Sequence, residues 1–159
     1  MSLTLSLAGI SVTLDKFINN EFPRVTLQPL GAVEFSAYGS VALQGSYHEP
    51  KWIWTVTALI DPQQRALLDA IAYEFQTRRR ELVDCDILLY DTTSPIIERS
   101  PRTRALVPDT AETAIGGSHT QFFGQFFAGI TDGPKYSQNG RKIVATLVLT
   151  ETVKVTNGD

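Results

Sequence analysis

One segment of this 159-residue chain changes the period of its apolar residues, and that change limits the fold more than any other feature. Along most of the sequence apolar and polar residues alternate, the period-two mark of strands with one buried face. Only residues 61–80 switch to helical spacing, with Leu67, Leu68, Ile71, Ala72 and Phe75 on one stripe. Asp61 stands at the N-cap, Pro62 at the first helical position and Gln64 where a capping box wants Glu or Gln. Arg78, Arg79 and Arg80 close the helix where positive charge meets the negative end of its dipole. A lone amphipathic helix among strands must pack on the sheet. The expectation is a mainly β single domain over 1–159 with one α-helix packed on the sheet.

The strands read as follows. Residues 2–7 and 10–14 form a pair across Ala8-Gly9, and two weaker runs lie between about Val33 and Tyr47. Residues 51–60 are the strongest strand, apolar on both faces, and are expected at the sheet centre with cover on both sides. Further strands are expected at 84–91, 122–131 and 142–155, the last two joined by a loop over 131–140. In the final strand Ile143, Ala145, Leu147, Leu149, Val153 and Val155 share a face. Residues from Thr156 are expected to fray. Thr92–Gln121 shows neither period and holds Pro95, Pro101 and Pro108. Structureless loops beyond about 12–15 residues usually carry a function, so this segment reads as an extended loop or inter-subunit arm.

Composition excludes several classes. A single cysteine, Cys85, rules out an intramolecular disulfide framework and a multi-cysteine zinc site. A net charge of −3 argues against a dedicated nucleic-acid binder. The alternating N-terminus does not resemble a secretory leader, and no run of 18 apolar residues predicts a membrane span. The expected compartment is therefore cytosolic. Only 19% of residues are charged, which leaves much neutral surface to explain.

The motifs for chemistry are sparse. No Gly-rich nucleotide loop is present, and His48 and His119 lack metal-ligand spacing. No catalytic, cofactor-binding or metal-ligating residue is assigned, and a hydrolase built on His119 is the weakest reading. Asp84 and Asp86 read as the solvent face of a strand whose other face holds Cys85, with Arg78–Arg80 as nearby charge partners. Arg99, Arg102 and Arg104 leave three readings open: a phosphate grip, pairing with a neighbouring subunit's carboxylates, or simple solvation. In Gln121–Phe127 both strand faces carry aromatics. Core packing accounts for one face, while Phe123 and Phe127 are candidates for a subunit interface.

The order of these pieces resembles the tail-tube-like domain of bacteriophage tails and related contractile injection machines. The resemblance rests on the strand Trp52–Ile60, the helix Pro62–Arg79 with its Leu59-Ile60-Asp61-Pro62-Gln63-Gln64 opening, and the excursion Thr92–Gln121. It implies a tail-tube-like fold, an antiparallel β-sandwich or barrel with one flanking α-helix and a long extended loop, and a non-enzymatic virion component of a tail or baseplate, assembled in the host cytoplasm. Its partners would be further copies in a ring, most often sixfold, and other tail or baseplate proteins. DNA would pass through the lumen without specific binding, and no membrane insertion is implied. The excursion would reach the adjacent subunit, with Arg99, Arg102 and Arg104 as contacts. A rival reading is a small-molecule or carbohydrate-binding β-barrel using Trp52, Trp54, Tyr47 and Tyr136.

Overall fold

The computed structural model describes residues 1–18, 23–27, 33–35, 37–43 and 51–156. Tyr47, His48 and the tail beyond Thr156 lie outside the described residues. The chain is mainly β with one helix, as its periodicity predicts. Its elements are β1 (Leu3–Leu7), β2 (Ile10–Leu14), β3 (Arg24–Leu27), β4 (Val33–Phe35), β5 (Val41–Leu43), β6 (Lys51–Ile60) and α1 (Pro62–Arg80). They continue with β7 (Ile87–Asp91), β8 (Ile96–Arg99), β9 (Thr113–Gly116), β10 (His119–Phe122), β11 (Gln125–Asn139) and β12 (Lys142–Lys154).

Seven strands form one antiparallel sheet in the order β2-β1-β7-β11-β12-β6-β3. Its inner face is set by alternation: Leu3, Leu5 and Leu7 on β1, Ile87 and Leu89 on β7, Ala145, Leu147 and Leu149 on β12, and Val56, Ala58 and Ile60 on β6. The sheet rolls strongly. Chain leaving β2 crosses to β6, where the Ile18 amide donates to the Thr57 carbonyl at 3.0 Å and the Leu59 amide to the Lys16 carbonyl at 2.8 Å. No ladder joins β2 to β6 among the described residues, so the roll stops short of a closed barrel.

Helix α1 fills one end of the roll with Leu68, Ile71 and Phe75. Burial of each such side chain stabilises the fold by roughly 1.5–3 kcal/mol. Both capping-box bonds are present: the Gln64 amide donates to Asp61 Oδ1 at 2.7 Å, and the Asp61 amide to Gln64 Oε1 at 3.0 Å. Gly129 admits the Phe75 ring, because a Cβ there would lie 3.3 Å from the Phe75 Cζ. The helix ends at Glu81, and Leu82 takes a left-handed φ of 57°. That exit occupies residues 81–86, so the following strand starts at Ile87 rather than at 84.

Three other expectations are corrected. The segment 131–140 is not a loop: β11 runs on to Asn139, and the turn to β12 falls at Gly140-Arg141. The ladder absorbs register shifts there. At one of them Gly133 has φ +85° and approaches the Thr146 carbonyl so closely that no Cβ would fit. Strand β6 lies next to the edge strand β3 rather than at the sheet centre, and it is covered on its inner face only, since Thr55 is exposed and Ile53, Thr57 and Leu59 are half-buried. Thr156 is held by an isolated bridge to Arg104.

The largest correction concerns 92–121. This stretch is not an extended loop but carries β8 and β9 and most of β10, paired antiparallel as β8-β10-β9. Ile96, Val107 and Phe122 are buried, so the small sheet closes the other end of the roll. Strands β4 and β5 form a separate two-stranded sheet that, among the described residues, joins neither of the others.

Candidate functional site

The excursion end is built around charges. Asp91 ends β7 on the inner face, and its side chain is fully buried. Arg24 of β3 pairs with it at 2.9 Å, and the Trp54 indole donates to the same Oδ2 at 3.0 Å. Thr93 donates to Oδ1 from both its amide and its hydroxyl. Arg24 also donates to Ser94 Oγ and to the Pro95 carbonyl, tying β3 to the start of the excursion. Burial lowers the Arg24 pKa, and Asp91 offsets part of that effect.

A second pair lies beside the first. Arg104, from the middle of the excursion, meets Glu151 of β12 at 2.9 Å, with side chains 5% and 1% exposed. Arg104 also donates to the Gln125 carbonyl, while Glu151 accepts the Trp52 amide at 3.2 Å. The Nε atoms of Arg24 and Arg104 have no hydrogen-bond partner. Their guanidinium carbons instead lie 5.4 Å and 4.3 Å from the centre of the Phe126 ring. Such a position over an aromatic face recovers part of the lost solvation. Gly124 makes this fit, since a Cβ there would stand 2.7 Å from Arg104 Cδ.

Outside this layer lies an open cleft of about 450 Å³, walled by Trp52, Ile97, Arg99, Pro101, Arg104 and Lys154. Glu98 sits at its edge, 3.5 Å from Lys154 Nζ. Burial would raise the Glu98 pKa, but amide donation from Thr103 and the Lys154 charge outweigh it and leave the pKa lowered. Glu98 is therefore an anion at neutral pH. The cleft combines an indole wall with cations and one acceptor, suited to an aromatic or anionic guest.

The arginines expected at an interface separate on inspection. Arg99 is exposed and lines the cleft. Arg102 is half-buried, donates to the Arg104 carbonyl at 2.9 Å and lies 3.5 Å from Glu112. Arg104 is a buried structural ion-pair partner and is not displayed to a neighbour. Phe123 and Phe127 lie on the outward face, both half-buried, while Phe122 and Phe126 point into the core.

The aromatic set of the binding reading does not converge. Trp52 lines the cleft, Trp54 is fully buried, and Tyr136 sits at the helix end with its hydroxyl donating to Asp69 at 2.6 Å. His119 opens β10 rather than lying in a loop. It borders a second hollow of about 600 Å³ with Glu112 and Ser118. Among the described residues no hydrogen bond reaches its imidazole, and no group of three or more His, Cys, Asp or Glu is placed to hold a metal. Asp84 Oδ1 accepts the Asp86 amide, and Asp86 accepts from Thr152. Arg78 reaches the Asp84 carbonyl rather than its carboxylate. No helix among the described residues is long and apolar enough to cross a membrane.

Sequence reasoning overlooked Asp91 and Glu151. The signal was available, since Glu151 interrupts the apolar face that runs from Ile143 to Val155. Comparison with protein-family models, curated proteins and solved structures gives no match.

Proposed function

We propose that this chain is a structural component of a phage tail or baseplate, assembling into a ring around a channel for DNA. The observation that carries this reading is the rolled antiparallel sheet with one flanking helix and a separate β4–β5 hairpin. A hairpin outside the main sheets suits the role of an arm better than the excursion, which folds onto its own sheet. The outward sheet face adds support. It carries rows of hydroxyls beside the half-buried Ile53, Leu59 and Phe127, with Thr4 bonded to Thr13 at 2.9 Å, Ser6 to Ser11 at 3.1 Å and Thr131 to Thr150 at 3.3 Å. A neutral, hydroxyl-rich face suits either a water-filled lumen or a packed neighbour. The net charge of −3 disfavours adhesion of DNA in transit.

Sedimentation and electron microscopy of the purified protein test the proposal. The expected result is a closed ring with one dominant copy number, six in the family this chain resembles. A protein that stays monomeric at every concentration overturns it.

The cleft beside Trp52 favours a second reading, a small-molecule or carbohydrate-binding module. That reading predicts a melting temperature raised by a member of a saccharide panel while the mass stays monomeric.

A further inference from the structure

Tyr38 is the most exposed large apolar side chain among the described residues, at 98%. It lies in the turn between β4 and β5, beside Gly39, whose φ of +82° a side-chain-bearing residue rarely adopts. A tyrosine standing wholly in water forgoes burial of about 150–250 Å². The cleft at the excursion end has the opposite need. Trp52, Pro101 and Ile97 offer it apolar walls, and Ile97 is 59% exposed.

We infer that Tyr38 of one copy seats in the Trp52–Pro101–Arg99 cleft of the next copy, making the β4–β5 hairpin the arm that links neighbours. The inference rests on the ring reading above. Three further observations support it. A cleft of about 450 Å³ is within the range of roughly 300–1,000 Å³ that accepts a compact guest. Arg99 forms no salt bridge among the described residues, and its guanidinium is available to lie over a phenol face. The charges are complementary: residues 33–43 carry only Glu34, while at the cleft Arg104 is balanced by Glu151 and Lys154 by Glu98, which leaves the positive charge of Arg99.

Tyr38 stands in water, so it does not fill the cleft of its own chain, and knob and hole are made of different residues. Contact between them is heterologous, head to tail, and such contacts generate rings when the rotation closes. A self-complementary patch would instead stop at a dimer.

The test uses the full chain with Cys85→Ser to remove the native thiol. Copies carrying Ala37→Cys, which keeps Tyr38, are mixed with copies carrying Ile97→Cys under mild oxidation. The expected product is a crosslinked pair holding one copy of each. In parallel, Tyr38→Ala should weaken assembly at least about tenfold, while Tyr38→Phe retains most of it. The monomer's circular dichroism and melting temperature should not change in Tyr38→Ala. In a protein that assembles, unchanged association of Tyr38→Ala overturns the inference and leaves the ring reading standing. Weakened association without the mixed crosslink overturns the cleft as the seat. A monomeric wild-type protein overturns both the inference and the ring reading.

Discussion

The two ends of the rolled sheet are closed by different chemistry. At one end α1 presses Leu68, Ile71 and Phe75 onto aliphatic strand residues, and nothing charged enters the core. At the other, the excursion seals the roll with Arg24–Asp91 and Arg104–Glu151 gathered around Phe126. The apolar end tolerates loss in proportion to the volume removed. The ionic end is conditional, because each charge is supportable only while its partner remains.

The largest effect should therefore come from breaking one ion pair. Asp91→Ala strands Arg24 and the Trp54 indole and should cost about 3–5 kcal/mol, read as a fall in the urea midpoint. Replacing both partners by apolar residues, Arg24→Met with Asp91→Leu, should recover the part of that loss that comes from the stranded Arg24 charge, while the Trp54 and Thr93 donors stay unpaired. If the double variant is as weak as Asp91→Ala, the contrast between the ends fails. Leu68→Ala at the helix end should cost about 2–5 kcal/mol. No second substitution elsewhere should rescue it as pairwise replacement does.

A smaller effect probes the fit around Arg104. Gly124→Ala places a methyl against Arg104 Cδ and Ile96 Cδ1 and should cost roughly 1–3 kcal/mol. A neutral outcome in the melting temperature would mean that the arginine layer yields easily.

The smallest effects separate the ends by pH. Glu98 has a lowered pKa in the folded state, so its contribution is present above its unfolded value near 4.5 and is lost as pH falls through the folded value. Glu98→Gln should flatten the acid limb of the stability profile. Tyr136 has a raised pKa, caused first by burial and then by its hydrogen bond to Asp69. Its contribution is full below its unfolded value near 10 and is lost as pH rises beyond that toward the folded value. Tyr136→Phe should flatten the alkaline limb and leave the acid limb unchanged.

The same contrast explains what the sequence disclosed. The helix end was legible because its determinants are local: Asp61, Pro62 and Gln64 act within one turn, and the apolar stripe from Leu67 to Phe75 spans about two and a half. Strands β1, β2, β6 and β12 were legible for a similar reason, their alternation being five residues or longer. The excursion end was not. Strands β8, β9 and β10 have four residues each, too few for a period to stand out, and β10 is bulged between His119 and Thr120. Arg104 read as a surface cation because its partner, Glu151, lies 47 positions away. Asp91 likewise looked like a strand terminus until Arg24, 67 positions distant, was placed beside it.

The position of the excursion in the strand order carries one more consequence. Strands β7 and β11 pair with each other directly, with Gln125 opposite Tyr90 and Ala128 opposite Ile87. Everything from Thr92 to Gly124 is thus the connection of a single hairpin, grown into a small fold of its own. Closing a longer connection is cheap in entropy, about 0.6 kcal/mol for each doubling of its length. The strand order would allow the hairpin to be rejoined by a short turn, provided Glu151, whose partner Arg104 leaves with the excursion, is replaced by an apolar residue. The excursion is a replaceable module on a fixed scaffold, able to change its contacts while the sheet beneath keeps its topology.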